Sequence, residues 1–243
     1  AAWHVAGFVH GVLNPDNSNI SGESFDYWPW RFLPRFGRSF TAAYFDETGL
    51  YAYGRQAESL QWNLLQLARA LLLLAPAEAL LPALQRWPEL VRQAVLRQML
   101  WRLGLKPAGG ADGSGGMERE EALFRAFEDG LQQSGLAPDR GWFLFRGGRV
   151  PDDPPPSLRP FAALLAGFEP CPDALAHRYW ADEEPVMMGI DEVESIWAAI
   201  DEKDDWAPFE AKILAVRRMG EAHQCPPDQC LPDQRPLDQR SAR

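Results

Sequence analysis

The sequence predicts a mainly α-helical protein with a short β-hairpin near its N-terminus. Two patterns predict it. From residue 57 onward apolar residues recur at three- and four-residue steps, as in Leu60, Leu64, Leu67, Leu71 and Leu74, which is helical spacing. Before them, Asn19, Ile20 and Glu23 to Phe25 flank Ser21-Gly22, which suits a tight hairpin turn. With 243 residues, 46% of them hydrophobic and 24% charged, the chain is long enough to bury a core.

Along the chain, residues 1–9 are apolar apart from His4 and read as the buried end of a helix. Residues 10–17 form a polar loop, and the hairpin that follows is expected to set Asn17 and Asp26 side by side. Residues 27–56 are aromatic and interrupted by Pro29, Pro34, Gly37, Gly49 and Gly54, so they read as an ordered loop region with short extended pieces. The leucine stripe from residue 57 is expected to face the core. Further helices are expected at 76–86 and 88–103, each with a proline in or near its first turn. Others follow at 118–133, ended by Gly135, and at 158–168, 191–200 and 206–219, with Val193, Ile196, Trp197 and Ile200 sharing one face. The stretch AGGADGSGG at 108–116 reads as a flexible linker. The repeat CPPDQ, CLPDQ, RPLDQ has no apolar face to bury, so residues 223–243 read as a disordered tail. The expected organisation is a catalytic segment at 1–107, the linker, a helical region at 117–222 and the tail.

Composition excludes several roles. A net charge of -10 offers no electrostatic support for a nucleic-acid partner. The most apolar run, Leu71 to Leu74, soon meets Pro76 and Glu78, well short of the roughly 20 residues a membrane span needs. Cys171, Cys225 and Cys230 cannot build a disulfide framework, which favours a reducing, cytoplasmic compartment. No secretory signal is read at the N-terminus, and an organelle-targeting peptide upstream of residue 1 stays open. His223, Cys225 and Cys230 lack the fourth ligand of a zinc site.

The chemistry-bearing stretch is His10-Gly11-Val12-Leu13-Asn14-Pro15-Asp16-Asn17, with Asp26 after the turn. Mg2+ takes oxygen ligands and is held by one or two protein groups plus substrate phosphates; Asn17 and Asp26 are such a pair. Phosphate chemistry also needs a group that takes the nucleophile's proton, and Asp16 is the candidate. The same residues are those of ordinary turns, each able to satisfy its own backbone. His10, beside an apolar helix end, reads as a packed residue that shapes the loop.

Small-molecule kinases of the aminoglycoside and choline kinase type carry H-G-D-x-x-x-x-N. His10, Gly11 and Asn17 resemble that pattern, but Val12 stands where the Asp should be and cannot accept a proton. The segment GFVHGVLNPDNSNISGESFDYWPWRFLP, continued by Phe45-Asp46, Gly49, Tyr51, Gln56 and Trp62-Asn63-Leu64, resembles the core of the SelO family of kinase-like protein adenylyltransferases, also called YdiU. The resemblance is strongest over residues 4–70 and extends more weakly to about 222. It implies the C-terminal lobe of a protein-kinase-like fold, with the catalytic loop on the hairpin, in an intact protein that is α+β. It also implies Asp16 as catalytic base, and Asn17 and Asp26 both as metal ligands and at the nucleotide. The cofactors would be ATP and Mg2+ (or Mn2+), and the reaction transfer of AMP to Ser, Thr or Tyr hydroxyls of proteins. The partners implied are ATP and protein substrates, with no nucleic acid and no membrane.

The chain departs from the family at three places. Trp28 replaces the glycine that follows Asp-Tyr, Pro15 replaces a threonine, and Thr41-Ala42-Ala43 stands where some members carry a redox cysteine. Pro15 pushes Asn14 away from helical backbone angles. The family's nucleotide-binding lobe, with its phosphate-contacting lysine, is expected upstream of residue 1, and the isolated chain is expected to be inactive. The alternatives are a kinase-like phosphotransferase, which Val12 argues against, and a non-catalytic remnant or helical interaction module.

Overall fold

Helix α1 (Ala2–Ala6) stops at Gly7, which takes the left-handed conformation at φ 67° and donates its N–H to the His4 carbonyl at 3.2 Å. The apolar run at 1–9 is therefore not one helix: Phe8–Val9 leaves α1 as strand β1. This computed structural model describes residues 1–24, 28–109 and 115–224. Asp26, residues 110–114 of the expected linker and the repeat tail from 225 onward, with Cys225 and Cys230, lie outside the described residues.

The described residues are mostly helical. The chain divides into two compact units, Ala1–Val95 and Leu96–Arg243. In the first, β1 pairs antiparallel with β2 (Arg31–Phe32), Phe8 opposite Phe32 and Val9 opposite Arg31. The hydrogen bond from Leu33 N to Gly7 O, 2.8 Å, extends the pairing. Phe8, Trp30 and Phe32 pack ring against ring across this ladder, at centroid distances of 5.4 to 6.3 Å. The expected hairpin turn is present. Asn19 N donates to Glu23 O at 2.8 Å, and Ser18 bridges Ser24. Residues 28–52 are loop apart from β2, as their glycines and prolines predict, and a 3-10 turn at Tyr53–Arg55 leads into α2 (Gln56–Leu71).

The expectation that the leucine stripe of α2 faces the core is corrected. The buried residues of α2 are Gln56, Ser59 and Asn63, whereas Leu60, Leu64, Leu67 and Leu71 are half-buried. Leu74 lies beyond the helix end and is 84% exposed. The physical reason is that α2 packs on a loop whose peptide groups need partners, as described below. α3 (Ala77–Gln85) and α4 (Trp87–Leu103) follow where their prolines predict them, and the Trp87 indole donates to Ala57 O at 3.2 Å.

The division between the units falls within α4. In the second unit Leu96, Met99, Leu100 and Leu103 of α4 are buried, as are Leu123, Phe127 and Leu131 of α5 (Gly116–Ser134). Gly135 ends α5 at φ 71°, as the sequence predicts. α6 (Pro138–Phe145) is a helix the sequence reading did not assign; four of its eight residues are buried apolar or aromatic side chains or glycine besides Pro138. α7 (Arg159–Leu165) buries Phe161 and Leu165, and Phe127 stacks on Trp142 at 3.8 Å. α8 (Ile190–Lys203) and α9 (Ala207–His223) complete the unit. Trp197, on the apolar face predicted for α8, is 62% exposed.

Two buried bases hold the end of α4. Arg146 donates to the carbonyls of Arg102 at 2.9 Å and Ala174 at 3.2 Å, lies over the Trp180 ring, and has its guanidinium pushed down to about 10 by burial. His223 closes α9 among Trp101, Tyr179 and Trp180, and its Nδ1–H donates to Met219 O at 2.9 Å. Burial, aided by the nearby Arg102 charge, pushes this imidazole down from 6.5 to about 3.

Two predictions follow from this packing. A Cβ on Gly130 would lie 2.8 Å from the backbone oxygen of Ser157, so Gly130→Ala should destabilise the protein by about 1–3 kcal/mol in urea unfolding. Below 6.5 the unfolded chain takes up a proton at His223 that the folded chain refuses until about 3. Stability is therefore complete above 6.5 and falls by a few kcal/mol as pH drops through that window. His223→Gln should flatten this part of the pH–stability curve.

Candidate functional site

Asn14 sets up the turn that carries the candidate residues. Its backbone is extended (φ -84°, ψ 170°), the geometry that a following proline enforces. Its side-chain oxygen accepts from Asn17 N at 3.2 Å as an N-cap. Pro15 then occupies the first position of a 3-10 turn, Pro15–Asn17, where a missing N–H costs nothing. The replacement of threonine by Pro15 is thus accommodated by the turn.

The turn separates its two polar side chains. Asp16 is exposed, and Asn17 is 7% exposed. Asn17 Nδ2 donates to Val12 O at 2.8 Å. With the amide nitrogen so committed, Oδ1 is the side-chain atom left to act as a ligand. A neutral oxygen held in a fixed direction is a ligand of the type Mg2+ or Mn2+ accepts. Among the described residues no three His, Cys, Asp or Glu side chains gather as a metal cluster. The second expected ligand, Asp26, lies outside the described residues.

His10 is fully buried and its bonds select one tautomer. Ser24 Oγ donates to Asn17 O at 2.6 Å, so its proton is engaged and His10 Nε2, 2.9 Å away, must be the donor to Ser24. His10 Nδ1 accepts from Val12 N at 3.4 Å. The imidazole thus ties the start of the loop to the turn through Ser24, which is the shaping role read for it. Val12 contributes only peptide groups to this network. Gly11, at φ 91°, passes so close to Ala42 and Pro29 that a Cβ would meet them at 3.2 and 3.3 Å. A side chain there would be strained as well as crowded.

The residues that sequence reasoning missed lie on α2. Gln56 bridges the exit of β1, accepting from His10 N at 3.0 Å and donating to Phe8 O at 2.9 Å. Ser59 donates to Leu50 O at 3.2 Å. Asn63 Nδ2 reaches Leu13 O, Asn14 O and Ser18 Oγ at 3.3, 3.2 and 3.0 Å. A polar row at helical spacing, 56, 59 and 63, running beside the leucine stripe was the available signal. Asp46 organises the preceding loop by accepting from Leu50 N and Tyr51 N, each at 2.8 Å.

Two clefts of about 830 and 420 Å³ border this loop. The larger has an apolar wall that includes Leu60, Leu64, Leu67 and Trp87; the smaller contains Tyr51, Arg55 and Trp62. Both touch Pro15 and Asn63, and neither is lined by Asp16 or Asn17. Of the candidate pair, Asp16 faces solvent and Asn17 faces inward, and neither lines these two clefts.

A family model described as protein adenylyltransferase SelO matches residues 1–136. The chain belongs to the SelO family. Curated relatives bear the name protein nucleotidyltransferase YdiU. The one from Gloeobacter violaceus is 32% identical over 237 residues, covering 90% of this chain and 47% of the relative. That of Trichodesmium erythraeum is 43% identical over 112 residues, 46% of this chain and 24% of the relative. A Shewanella loihica relative is 36% identical over 172 residues, 70% and 34% of the two chains. The chain spans at most about half the length of these relatives. No helix among the described residues is long and apolar enough to cross a membrane.

Gln56→Leu removes both bonds between α2 and the exit of β1. It should destabilise the protein by about 1–3 kcal/mol in urea unfolding, since it strands the buried His10 N–H and the Phe8 carbonyl.

Proposed function

We propose that this chain is the catalytic-loop portion of a nucleotidyltransferase that moves AMP from ATP to Ser, Thr or Tyr hydroxyls of other proteins. The observation that carries this reading is the family match over residues 1–136, which takes in the whole Pro15–Asn17 turn. The lobe is taken to be protein-kinase-like, an assignment supported by the loop pattern and the helical content. The compartment is taken to be the bacterial cytoplasm, supported by sparse cysteine usage.

In this reading Asp16 is the base, and its exposure supports access by a bulky acceptor. The acceptor hydroxyl oxygen bonds to the α-phosphorus while its proton passes to Asp16. The bond from the α-phosphorus to the bridging oxygen breaks, and pyrophosphate leaves. Asn17 Oδ1 and the Asp26 carboxylate would hold the divalent ion, which when bound draws charge from the phosphates. His10 and Ser24 keep the Asn17 backbone in place while this happens. Val12, with no proton-accepting group, weighs against the phosphotransferase alternative.

The test is transfer from ATP labelled at either the α- or the γ-phosphate, in Mn2+ or Mg2+, to a protein acceptor. It is run on this chain and on this chain fused to the part of the Gloeobacter violaceus relative that it does not match. The α label should appear on the acceptor with the fusion. Asp16→Asn should slow transfer by about 10²–10⁴-fold, and Asp26→Ala should abolish it. Transfer of the γ label alone would establish the phosphotransferase instead. With neither label transferred by the fusion, a non-catalytic interaction module becomes the better reading.

A further inference from the structure

The turn that carries Asp16 and Asn17 is held at both ends by one side chain from a distant helix. Asn63 Nδ2 lies 3.3 Å from Leu13 O and 3.2 Å from Asn14 O, on the chain entering the turn, and 3.0 Å from Ser18 Oγ, on the chain leaving it. These partners are 45 to 50 residues away in sequence. An amide has two N–H groups, so the three acceptors share them. All three partners accept, which settles which end of the carboxamide faces the turn. The other end, Oδ1, is buried and has no hydrogen-bond partner among the described residues. Asn63 itself is 8% exposed. A buried carbonyl oxygen without a partner costs stability, a cost that Leu at this position would not carry. The carboxamide is thus arranged to serve the turn at the expense of its own oxygen.

We infer that Asn63 is a positioning residue for the catalytic turn: it clasps Leu13–Asn14 to Ser18 and so fixes the direction of the Asp16 carboxylate and of Asn17 Oδ1. Asn63 acts through the turn rather than on the substrate. Its functional consequence rests on the nucleotidyltransferase reading above, whereas the clasp itself does not. Groups that orient a metal ligand typically contribute about 10–100-fold to metal affinity.

The experiment uses the full chain and two measurements. The first is amide hydrogen exchange at Asn17 and Ser18, whose N–H groups close the turn onto Asn14 O and Pro15 O. The second is Mn2+ affinity, read from the free-ion electron paramagnetic resonance signal. Asn63→Leu and Asn63→Asp both remove the donors, and each should speed exchange at the two amides by roughly tenfold or more. Each should also weaken Mn2+ binding by about tenfold or more, with helical circular dichroism retained. Ser18→Ala releases one end only and should produce a smaller change of the same kind, keeping the inference testable should both Asn63 variants fold poorly. A residue that merely fills the interior would lower the melting temperature without opening the turn selectively.

Unchanged exchange at Asn17 and Ser18 in the folded Asn63 variants overturns the clasp. Faster exchange with unchanged Mn2+ affinity upholds the clasp and overturns its effect on the ligand. Should Asn17→Ala bind Mn2+ as tightly as the unaltered chain, the metal-ligand reading of Asn17 fails. The exchange result then still decides for or against the clasp.

Discussion

The structure around the candidate site depends on one requirement: a buried stretch of chain with almost no ladder of its own must still have its peptide groups hydrogen-bonded. Val9, His10, Gly11, Leu13 and Asn17 are buried, yet β1 contributes only two residues to a sheet. The missing partners come from α2. Gln56 serves the exit of the strand, Asn63 serves the loop and its turn, and Ser59 serves the neighbouring Leu50 carbonyl. This demand accounts for a helix that turns a polar row inward and leaves its leucines half-buried. Burying those leucines fully would favour folding through apolar area, but it would take these hydrogen bonds from the loop, among them the buried ones to His10 N and Leu13 O, each at a cost comparable to a lost hydrogen bond.

The same requirement places the candidate chemistry. A 3-10 turn has three residues per turn, so Asp16 and Asn17 point in different directions although they are adjacent. One faces outward and the other inward, against Val12 O. Proline at the first position and Asn14 as cap hold this geometry locally. His10, Ser24 and Asn63 hold it from three other places in the chain. A base and a ligand need fixed directions more than strong binding of their own, and this network supplies direction.

The second unit solves a related problem with cations. The last carbonyls of α4 have no partners within the helix. Arg146 supplies donors to those of Trp101 and Arg102 and reaches Ala174 as well. A guanidinium brings five donors in a rigid fork and stacks on an aromatic face, so one side chain ties the helix end to the loop and to Trp180. His223 sits in the same aromatic group as a neutral ring, because burial, and after it the Arg102 charge, oppose its proton.

Much of this was legible in the sequence. The helices after residue 56, the end of α5 at Gly135, the Ser21-Gly22 turn and the polar loop with Asp16 and Asn17 could be read from period, turn chemistry and the family-like pattern. Their causes are local: side-chain spacing, glycine and proline backbone limits, and capping within a few residues. The early end of α1 was hidden because apolar composition alone does not separate a helix end from a buried strand. α6 was hidden among aromatic residues with no clear period. By itself the sequence determined where the turn forms and which side chains it presents. Only the tertiary structure decided which face of α2 is inward and that Gln56, Ser24 and Asn63 converge on the loop. The reason is physical: the donor and acceptors that Gln56 and Asn63 serve lie 45 to 50 residues away, and no local period records a partner at that distance.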